Sequence, residues 1–138
     1  MHLLVLASGR GSRLKKATSK QPKCFVQVNK KKIIDYISEN FIKFDDIIIS
    51  TGYRSNLLKK RFPLVKFAHN KNYLITNMVY SMFCASNLIK SDVIISYSDI
   101  IFDPLILNKM INLETTHMPL FKNWEKYWKK RMSNKEIN

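Results

Sequence analysis

Residues 3–14 read Leu-Leu-Val-Leu-Ala-Ser-Gly-Arg-Gly-Ser-Arg-Leu. The first five, Leu3 to Ala7, form an uninterrupted apolar run, which predicts a strand buried in a parallel sheet. The run passes directly into a loop with two glycines, Gly9 and Gly11, which let the backbone approach a ligand without a Cβ clash. Successive backbone N–H groups in such a turn form a concave anion site. The segment therefore predicts a strand that ends in an anion-binding loop.

Three basic side chains accompany this loop. Arg10 and Arg13 lie within it and carry forked donors that suit phosphate oxygens. Lys23 adds a point charge after a polar spacer that ends in Pro22. From residue chemistry alone, the segment predicts a cradle for a phosphate group.

Two common nucleotide-binding signatures do not fit this loop. A dinucleotide-binding loop needs a third glycine at the position that Leu14 occupies. A Walker-type loop ends in Gly-Lys-Ser or Gly-Lys-Thr, which this sequence lacks. A nicotinamide, flavin or P-loop site is therefore disfavoured.

The loop resembles the signature of the sugar-phosphate nucleotidyltransferase family, which is Leu-Ala-Ala-Gly-x-Gly-Ser/Thr-Arg-Leu, a polar spacer and Pro-Lys. Here residues 6–14 read Leu-Ala-Ser-Gly-Arg-Gly-Ser-Arg-Leu and residues 22–23 read Pro-Lys, so Ser8 in place of alanine is the one departure. The resemblance implies catalytic roles for Arg13 and Lys23. It also implies a nucleotide-binding loop formed by Leu6, Ala7, Ser8, Gly9, Arg10, Gly11 and Ser12.

The composition is that of one globular domain, with 138 residues of which 46% are hydrophobic and 25% charged. No apolar run reaches the ~18–20 residues of a membrane span, and Leu3–Ala7 is too short for a signal peptide. We therefore expect no membrane partner. Cys24 and Cys84 are isolated and lack metal-binding spacing, which indicates reduced thiols in a cytoplasmic protein.

The chain is strongly basic, with 24 Lys and Arg residues against 10 Asp and Glu and a net charge of +14. Such a balance attracts polyanions. The lysines are scattered along the chain, so nucleic acid is not the favoured partner. A nucleoside triphosphate accounts for the arginines of the first loop but not for the whole excess.

Strand and helix patterns alternate along the chain, which predicts an α/β fold, a Rossmann-like parallel sheet with helices on both faces. In such sheets ligands bind past the carboxyl ends of the strands, so the first loop and Asp99 should meet at one edge. Strands are expected over 3–7, 24–28, 47–49, 64–68 and 93–97, and helices over 33–44, 55–61, from 76 or 77 to about 89, and from 104 onward.

Asp99 follows a predicted strand and is the candidate metal ligand. Mg²⁺ prefers hard carboxylate oxygens, and the phosphate cradle favours this role over a cap for the helix that begins near Pro104. Asp103, with Pro104 after it, fits the capping role better.

Residues 70–78 and 97–100 extend the resemblance to the branch that includes phosphocholine cytidylyltransferases. In that branch the Thr-Asn segment lies beside the nucleotide, which implies that Asn77 contacts the base or sugar. The alternative is that Thr76 or Asn77 only caps a helix. The resemblance covers residues 1–112, which we take as the nucleotide-binding domain.

Residues 113–138 form a basic aromatic tail that is predicted to be helical, with Trp124 and Trp128 on one side. A packing helix with a solvated basic face is favoured over an aromatic-basic surface for nucleic acid. Family members are longer, and the tail resembles a segment that lies further downstream in them. We therefore expect a truncation or an internal deletion near 115–121, which leaves the sheet incomplete at its C-terminal side.

The sequence thus predicts a Mg²⁺-dependent nucleotidyltransferase, or its nucleotide-binding half. It would transfer a nucleotidyl group from a nucleoside triphosphate to a phosphorylated sugar or phosphocholine and release pyrophosphate. The alternative is a non-catalytic module that holds nucleotide or nucleic acid. A short open sheet edge also suggests self-association. The base and the acceptor are left open.

Overall fold

The computed structural model describes residues 1–130. Strand β1 lies near the start of the chain and is followed by alternating helices and strands. In chain order the elements are β1 (His2–Ala7), a 3-10 segment (Ser12–Thr18), β2 (Gln27–Val28), β3 (Lys31–Lys32), α1 (Ile33–Ser38), β4 (Asp46–Thr51), α2 (Ser55–Arg61), β5 (Lys66–His69), α3 (Met78–Phe83), β6 (Val93–Tyr97), α4 (Pro104–Ile111) and α5 (Trp124–Lys129).

Four parallel strands form the main sheet in the order β5-β4-β1-β6. Leu4 of β1 lies opposite Ile48 of β4 on one side and Ile95 of β6 on the other. Because β1 is paired along both edges and covered on both faces, its sequence is apolar without alternation. The predicted Rossmann-like α/β fold is confirmed.

Helices cover both faces of the sheet. Successive side chains of a strand point to opposite faces, so Leu3 and Val5 enter one apolar layer and Leu4 enters the other. The layer of Leu3 is completed by Ile34 and Ile37 of α1, Ile49 of β4 and Leu58 of α2. The layer of Leu4 contains Ile48, Ala68 and Ala85, with Met82 of α3 packed against them.

The expected strand over 24–28 is wrong in its first half. Lys23–Phe25 forms a 3-10 turn, and the strand is confined to Gln27–Val28, which pairs antiparallel with Lys31–Lys32 outside the main sheet. Cys24 and Phe25 are both buried, which two consecutive residues of a strand with one covered face cannot be.

The expected helix over 33–44 is also shorter, because α1 ends at Ser38 and a separate 3-10 helix covers Phe41–Lys43. The break falls at Asn40, whose side-chain amide donates to the carbonyl of Tyr36 at 3.4 Å. Asparagine competes with the helix for backbone partners in this way. Phe41 still packs against the core, so the apolar spacing was informative although the helix is interrupted.

Strand β6 is an edge of the sheet, and its side chains Ile95 and Tyr97 remain 45% and 44% exposed. The sheet is thus open on this side. Self-association through such an edge stays a prediction. Among the described residues, no helix combines the length and the apolar character that crossing a bilayer requires.

Within the predicted tail, the structure has one helix among the described residues, α5. The rings of Trp124 and Trp128 meet edge to face with centroids 6.1 Å apart, so both lie on one side of the helix. Every residue of 112–130 is exposed, and the packing of this helix onto the domain stays a prediction. Residues 131–138 of the predicted tail lie outside the described residues, and the division at residue 112 stays a prediction.

The two free cysteines differ in their burial. Burial is the main cause that raises the pKa of the Cys24 thiol to about 12, so this thiol stays protonated at pH 8. Cys84 is half-buried. We expect a disulfide reagent such as Ellman's reagent to modify Cys84 at least ~100-fold faster than Cys24 in the folded chain at pH 8.

The control for this prediction is the variant Cys84→Ser, which should lose the fast phase and keep the slow one. In denaturant both thiols of the unchanged chain should react together. Equal rates for the two thiols in the folded chain would contradict the burial of Cys24.

Candidate active site

A cleft of about 540 Å³ opens at the carboxyl edge of the sheet. Its walls are the loop after β1, the segment that leads into α3, and the segment after β6. Backbone hydrogen bonds hold the end of β1 and the first loop to the segments after the two neighbouring strands: Tyr53 N–H, after β4, donates to Ser8 O at 3.0 Å, and Ser98 N–H, after β6, donates to Leu6 O at 3.2 Å. The cleft therefore lies where a parallel sheet is expected to bind its ligand.

Gly11 gives the first loop its turn. Its φ is +67°, a left-handed conformation that favours glycine, and a Cβ at this position would lie 2.9 Å from Cβ of Lys23. The hydroxyl of Thr18 donates to the carbonyl of Gly11 at 2.9 Å, which closes the loop from the other side. The loop and Lys23 thus pack directly against each other, which explains why the sequence keeps both halves of the signature.

Lys23 and Asp99 form an ion pair across the cleft, between Nζ and Oδ2. Their side chains are 42% and 28% exposed, so both can be reached from solvent. The cleft lining contains two cationic side chains, Arg13 and Lys23, and Asp99 is its single carboxylate among the described residues. The lining thus has the charge composition of a site for a phosphate group with a divalent cation.

Most of the predicted site residues are brought together here. Those that line the cleft are Leu6, Ser8, Gly9, Gly11, Ser12, Arg13, Lys23, Asn77 and Asp99. The side chain of Ala7 packs in the core instead. The guanidinium carbon of Arg10 lies 5.8 Å from the ring centroid of Tyr53, outside the lining. Ligand contacts by these two residues stay predictions.

Asn77 is the N-cap of α3, because its Oδ1 accepts a hydrogen bond from Tyr80 N–H at 3.0 Å. Asn77 also lines the cleft, so the two interpretations of the sequence are compatible. The cap uses one lone pair of the side-chain oxygen, which leaves its second lone pair and the amide N–H groups for a nucleotide.

Asp103 caps α4 as predicted, since its Oδ1 accepts from Leu105 N–H at 2.9 Å and Pro104 takes the first turn. Asp99 contacts Lys23 in the cleft. The helix therefore has its cap four residues further on, and Asp99 is left for the cleft.

Several residues of the site were not assigned from the sequence. Gly52 follows β4, and a Cβ there would lie 2.6 Å from both the Ser8 carbonyl oxygen and the Cβ of Tyr73. A glycine directly after a buried strand is a recognisable signal of close backbone approach. Gly52 lies behind the cleft, and the lining residues without a predicted role are Leu14, Tyr73, Thr76, Met78, Ser81, Tyr97 and Ser98.

The described residues fit a magnesium ion that is shared with a phosphate ligand. Mg²⁺ usually keeps several waters and is held by one or two carboxylates together with substrate phosphates. Asp99 is one such carboxylate, and it lies just past the carboxyl end of β6. Within residues 1–130, no group of three or more His, Cys, Asp or Glu side chains could hold a metal ion on its own, so a metal here would depend on the phosphate oxygens of the ligand.

Comparison with known proteins identifies the class that this fold and cleft define. Residues 3–120 match the model of the MobA-like NTP transferase domain, and the chain belongs to this family of nucleotidyltransferases.

Two curated relatives are cytidylyltransferases. The chain is 38% identical over 146 aligned positions to the CTP:phosphoglutamine cytidylyltransferase of Campylobacter jejuni, which covers 97% of this chain and 58% of that protein. It is 32% identical over 116 positions to the choline-phosphate cytidylyltransferase of Streptococcus pneumoniae, which covers 80% of this chain and 50% of the relative. The chain thus spans about half the length of the curated relatives it matches and is shorter than they are, as predicted.

A solved structure agrees with this family. The CTP:phosphocholine cytidylyltransferase of Streptococcus pneumoniae superimposes with a TM-score of 0.58 at 30% identity, over 71% of this chain and 44% of that one. The expected internal deletion near 115–121 stays a prediction.

Proposed function

We propose that this chain is the nucleotide-binding part of a Mg²⁺-dependent cytidylyltransferase. It would transfer CMP from CTP to a phosphorylated small molecule of the phosphocholine or phosphoglutamine type and release pyrophosphate. The observation that carries the proposal is the cleft in which the glycine loop, Arg13, Lys23 and Asp99 meet. The choice of cytosine rests on the names of the relatives.

The distribution of charge supports an anionic ligand at this edge. Residues 8–34, which contain the first loop and its 3-10 segment, include nine Lys or Arg residues and no Asp or Glu. Residues 47–91, which supply the opposite wall, also lack Asp and Glu. A cleft with walls formed by such positively charged segments attracts a triphosphate and raises its local concentration.

The residues of the cleft would act by positioning and by neutralising charge, since nucleotidyl transfer requires no covalent enzyme intermediate. An oxygen of the acceptor phosphate forms a bond to the α-phosphorus, and the bond from that phosphorus to the pyrophosphate oxygen breaks. The backbone N–H groups of Gly9 to Ser12 and the guanidinium of Arg13 would hold the departing pyrophosphate. Lys23 would reach the α-phosphate and stabilise the charge that develops there.

Asp99 would hold the Mg²⁺ ion, which supplies further positive charge to the triphosphate when it is bound. The Lys23–Asp99 ion pair then has a clear role before the ligand arrives. It keeps both charged groups aimed into the cleft, and each exchanges its partner when the metal-nucleotide complex enters.

The alternative is a module that binds nucleotide, or nucleic acid through its +14 charge, without turnover. The free thiols of Cys24 and Cys84 support a cytoplasmic setting.

The testing experiment is the melting temperature of the chain with CTP, UTP, GTP, ATP or dTTP, each with and without Mg²⁺. A ligand at 100 times its dissociation constant stabilises by ~2.7 kcal/mol, a shift of roughly 5–15 °C for a domain of this size. We expect this shift with CTP and Mg²⁺ together. Pyrophosphate release is then measured with phosphocholine and phosphoglutamine as acceptors.

A cooperative melt that no nucleotide shifts would contradict the proposal. Binding to DNA or RNA that weakens with salt and ignores Lys23→Ala would support the nucleic-acid alternative. A melting temperature that rises with CTP, without pyrophosphate release, would support the nucleotide-binding site and exclude turnover by this chain.

A further inference from the structure

Two buried serine hydroxyls connect the walls of the cleft beneath its floor. Ser8 Oγ and Ser50 Oγ lie 2.9 Å apart, and Ser50 Oγ donates to the backbone carbonyl of Ser81 at 2.8 Å. Ser8 belongs to the first loop, Ser50 to β4 and Ser81 to α3. All three are buried, with Ser50 fully so. A continuous hydrogen-bonded path therefore joins the glycine loop to the helix on the opposite wall.

The direction of these hydrogen bonds follows from the number of protons. A serine hydroxyl has one O–H donor and two acceptor lone pairs. Because Ser50 gives its proton to Ser81 O, Ser8 must donate its proton to Ser50 Oγ. The hydroxyl proton of Ser8 is thus consumed below the cleft, and Ser8 would contribute its backbone to a phosphate.

A second branch reaches the same helix from the end of β5. Asn70 is 1% exposed, and its Nδ2 donates to Ser81 Oγ and to Thr76 Oγ1, each at 2.9 Å. Its Oδ1 accepts from the backbone N–H of Asn72 at 2.9 Å. The branch fixes the segment 70–77, which carries Asn77 into the cleft, and meets the first branch at Ser81.

We propose that Ser50 is a positioning residue for nucleotide binding. Its hydroxyl sets the spacing between the glycine loop and the segment 70–77, and it touches no ligand itself. The inference deepens the proposed nucleotide site and rests on it. It also gives a physical reason for the one departure from the family signature, because Ser8 supplies the donor that Ser50 accepts.

Ser50→Ala breaks the hydrogen-bonded path between the glycine loop and α3. Ser81 O then loses its side-chain donor, and Ser8 is left with a buried hydroxyl that must find another acceptor. A buried hydrogen-bonding group that loses its partner destabilises the arrangement that it held, so the walls of the cleft are free to shift apart. We expect CTP to bind about tenfold more weakly in the presence of Mg²⁺.

The matched control is Ser96→Ala on β6. Ser96 is 6% exposed, and its hydroxyl donates to the carbonyl of Tyr97 at 3.1 Å. Ser96 pairs with Val5, whose side chain belongs to the layer on the other face of the sheet from the serine path. Ser96→Ala therefore removes a similar buried hydroxyl and leaves the path intact. CTP affinity should change by less than about twofold in this variant.

Amide hydrogen exchange of the ligand-free chain gives a readout that needs no nucleotide. Ser50→Ala should accelerate exchange of the Leu14 and Tyr53 amides, which donate to the first loop, and of the amides in 72–76 on the other wall, whereas Ser96→Ala should change neither set. Ser8→Ala removes one end of the path and should act in the same direction. In a double-mutant cycle, Ser8→Ala and Ser50→Ala should together weaken CTP binding by less than the product of their separate effects.

The outcomes separate the two proposals. If the unchanged chain binds no CTP, the proposed function fails, and the exchange data still decide whether Ser50 positions both walls. Faster exchange confined to β4, or in neither wall, overturns the inference. CTP affinity of Ser50→Ala equal to that of Ser96→Ala, in a chain that binds CTP, overturns it as well.

Discussion

Replacing Asp99 by asparagine is expected to abolish the Mg²⁺-dependent part of CTP stabilisation and to lower any pyrophosphate release by about 100- to 1,000-fold. Asparagine keeps the shape of the side chain but removes the single carboxylate of the described cleft lining. It also leaves Lys23 without the oxygen anion that it contacts in the free chain. The measurements are thermal shifts with CTP, with and without Mg²⁺, and steady-state pyrophosphate release.

Asp103→Asn is the matched control, because this carboxylate lies four residues away and caps α4 through an oxygen that asparagine retains. Its CTP shift should stay within about 2 °C of the unchanged chain. A Mg²⁺-dependent CTP shift that survives in Asp99→Asn would exclude Asp99 as the metal ligand.

Replacing Gly52 by alanine is expected to lower the melting temperature by about 10 °C and to abolish the CTP shift. The new Cβ would lie 2.6 Å from the Ser8 carbonyl oxygen and 2.6 Å from the Cβ of Tyr73. Tyr53 N–H donates to that same carbonyl, so the strand end and the glycine loop cannot both keep their places. The measurements are thermal unfolding and calorimetric titration with CTP.

Gly9→Ala is the control for stability, because a Cβ at this position meets no atom within 4 Å. Its melting temperature should fall by less than about 2 °C, although the loop then presents an extra methyl group to the ligand. Gly52→Ala melting within the same margin as Gly9→Ala would contradict the close packing after β4.

The sequence predicted the parts of the fold that depend on apolar runs and on strand ends. Leu3 to Ala7 is apolar throughout because β1 is central, and Asp99 was placed beside the first loop because parallel strands end at one edge. Asp103 and Pro104 carry a local signal that needs no tertiary context. These predictions concern single strands and caps, and the structure confirms them.

The failures concern residues whose role depends on distant partners. Ser50 directly follows an apolar run and has no local signal, since its partners Ser8 and Ser81 come from two other elements. Asn40 interrupts a helix that its apolar neighbours continue, because a side-chain hydrogen bond competes with the helix there. The position of Arg10 over the ring of Tyr53 has no local signal either, because Tyr53 follows a different strand; its contact with the ligand stays a prediction.

The strand order also has a consequence for how fast this chain reaches its native state. Residue 2 pairs with residue 46 on one side and with residue 93 on the other, so both strands that pair with β1 are distant from it in sequence. The chain loses entropy when a large loop closes, before the contacts at its ends stabilise the structure. Folding rates therefore fall as the sequence separation of such contacts increases. Strand β6 joins the sheet beside β1 and not beside β5, so the sheet cannot grow outward strand by strand in chain order. The rate-limiting event of refolding is therefore expected to be the pairing of β1 with β4, after which β6 pairs with the free edge of β1.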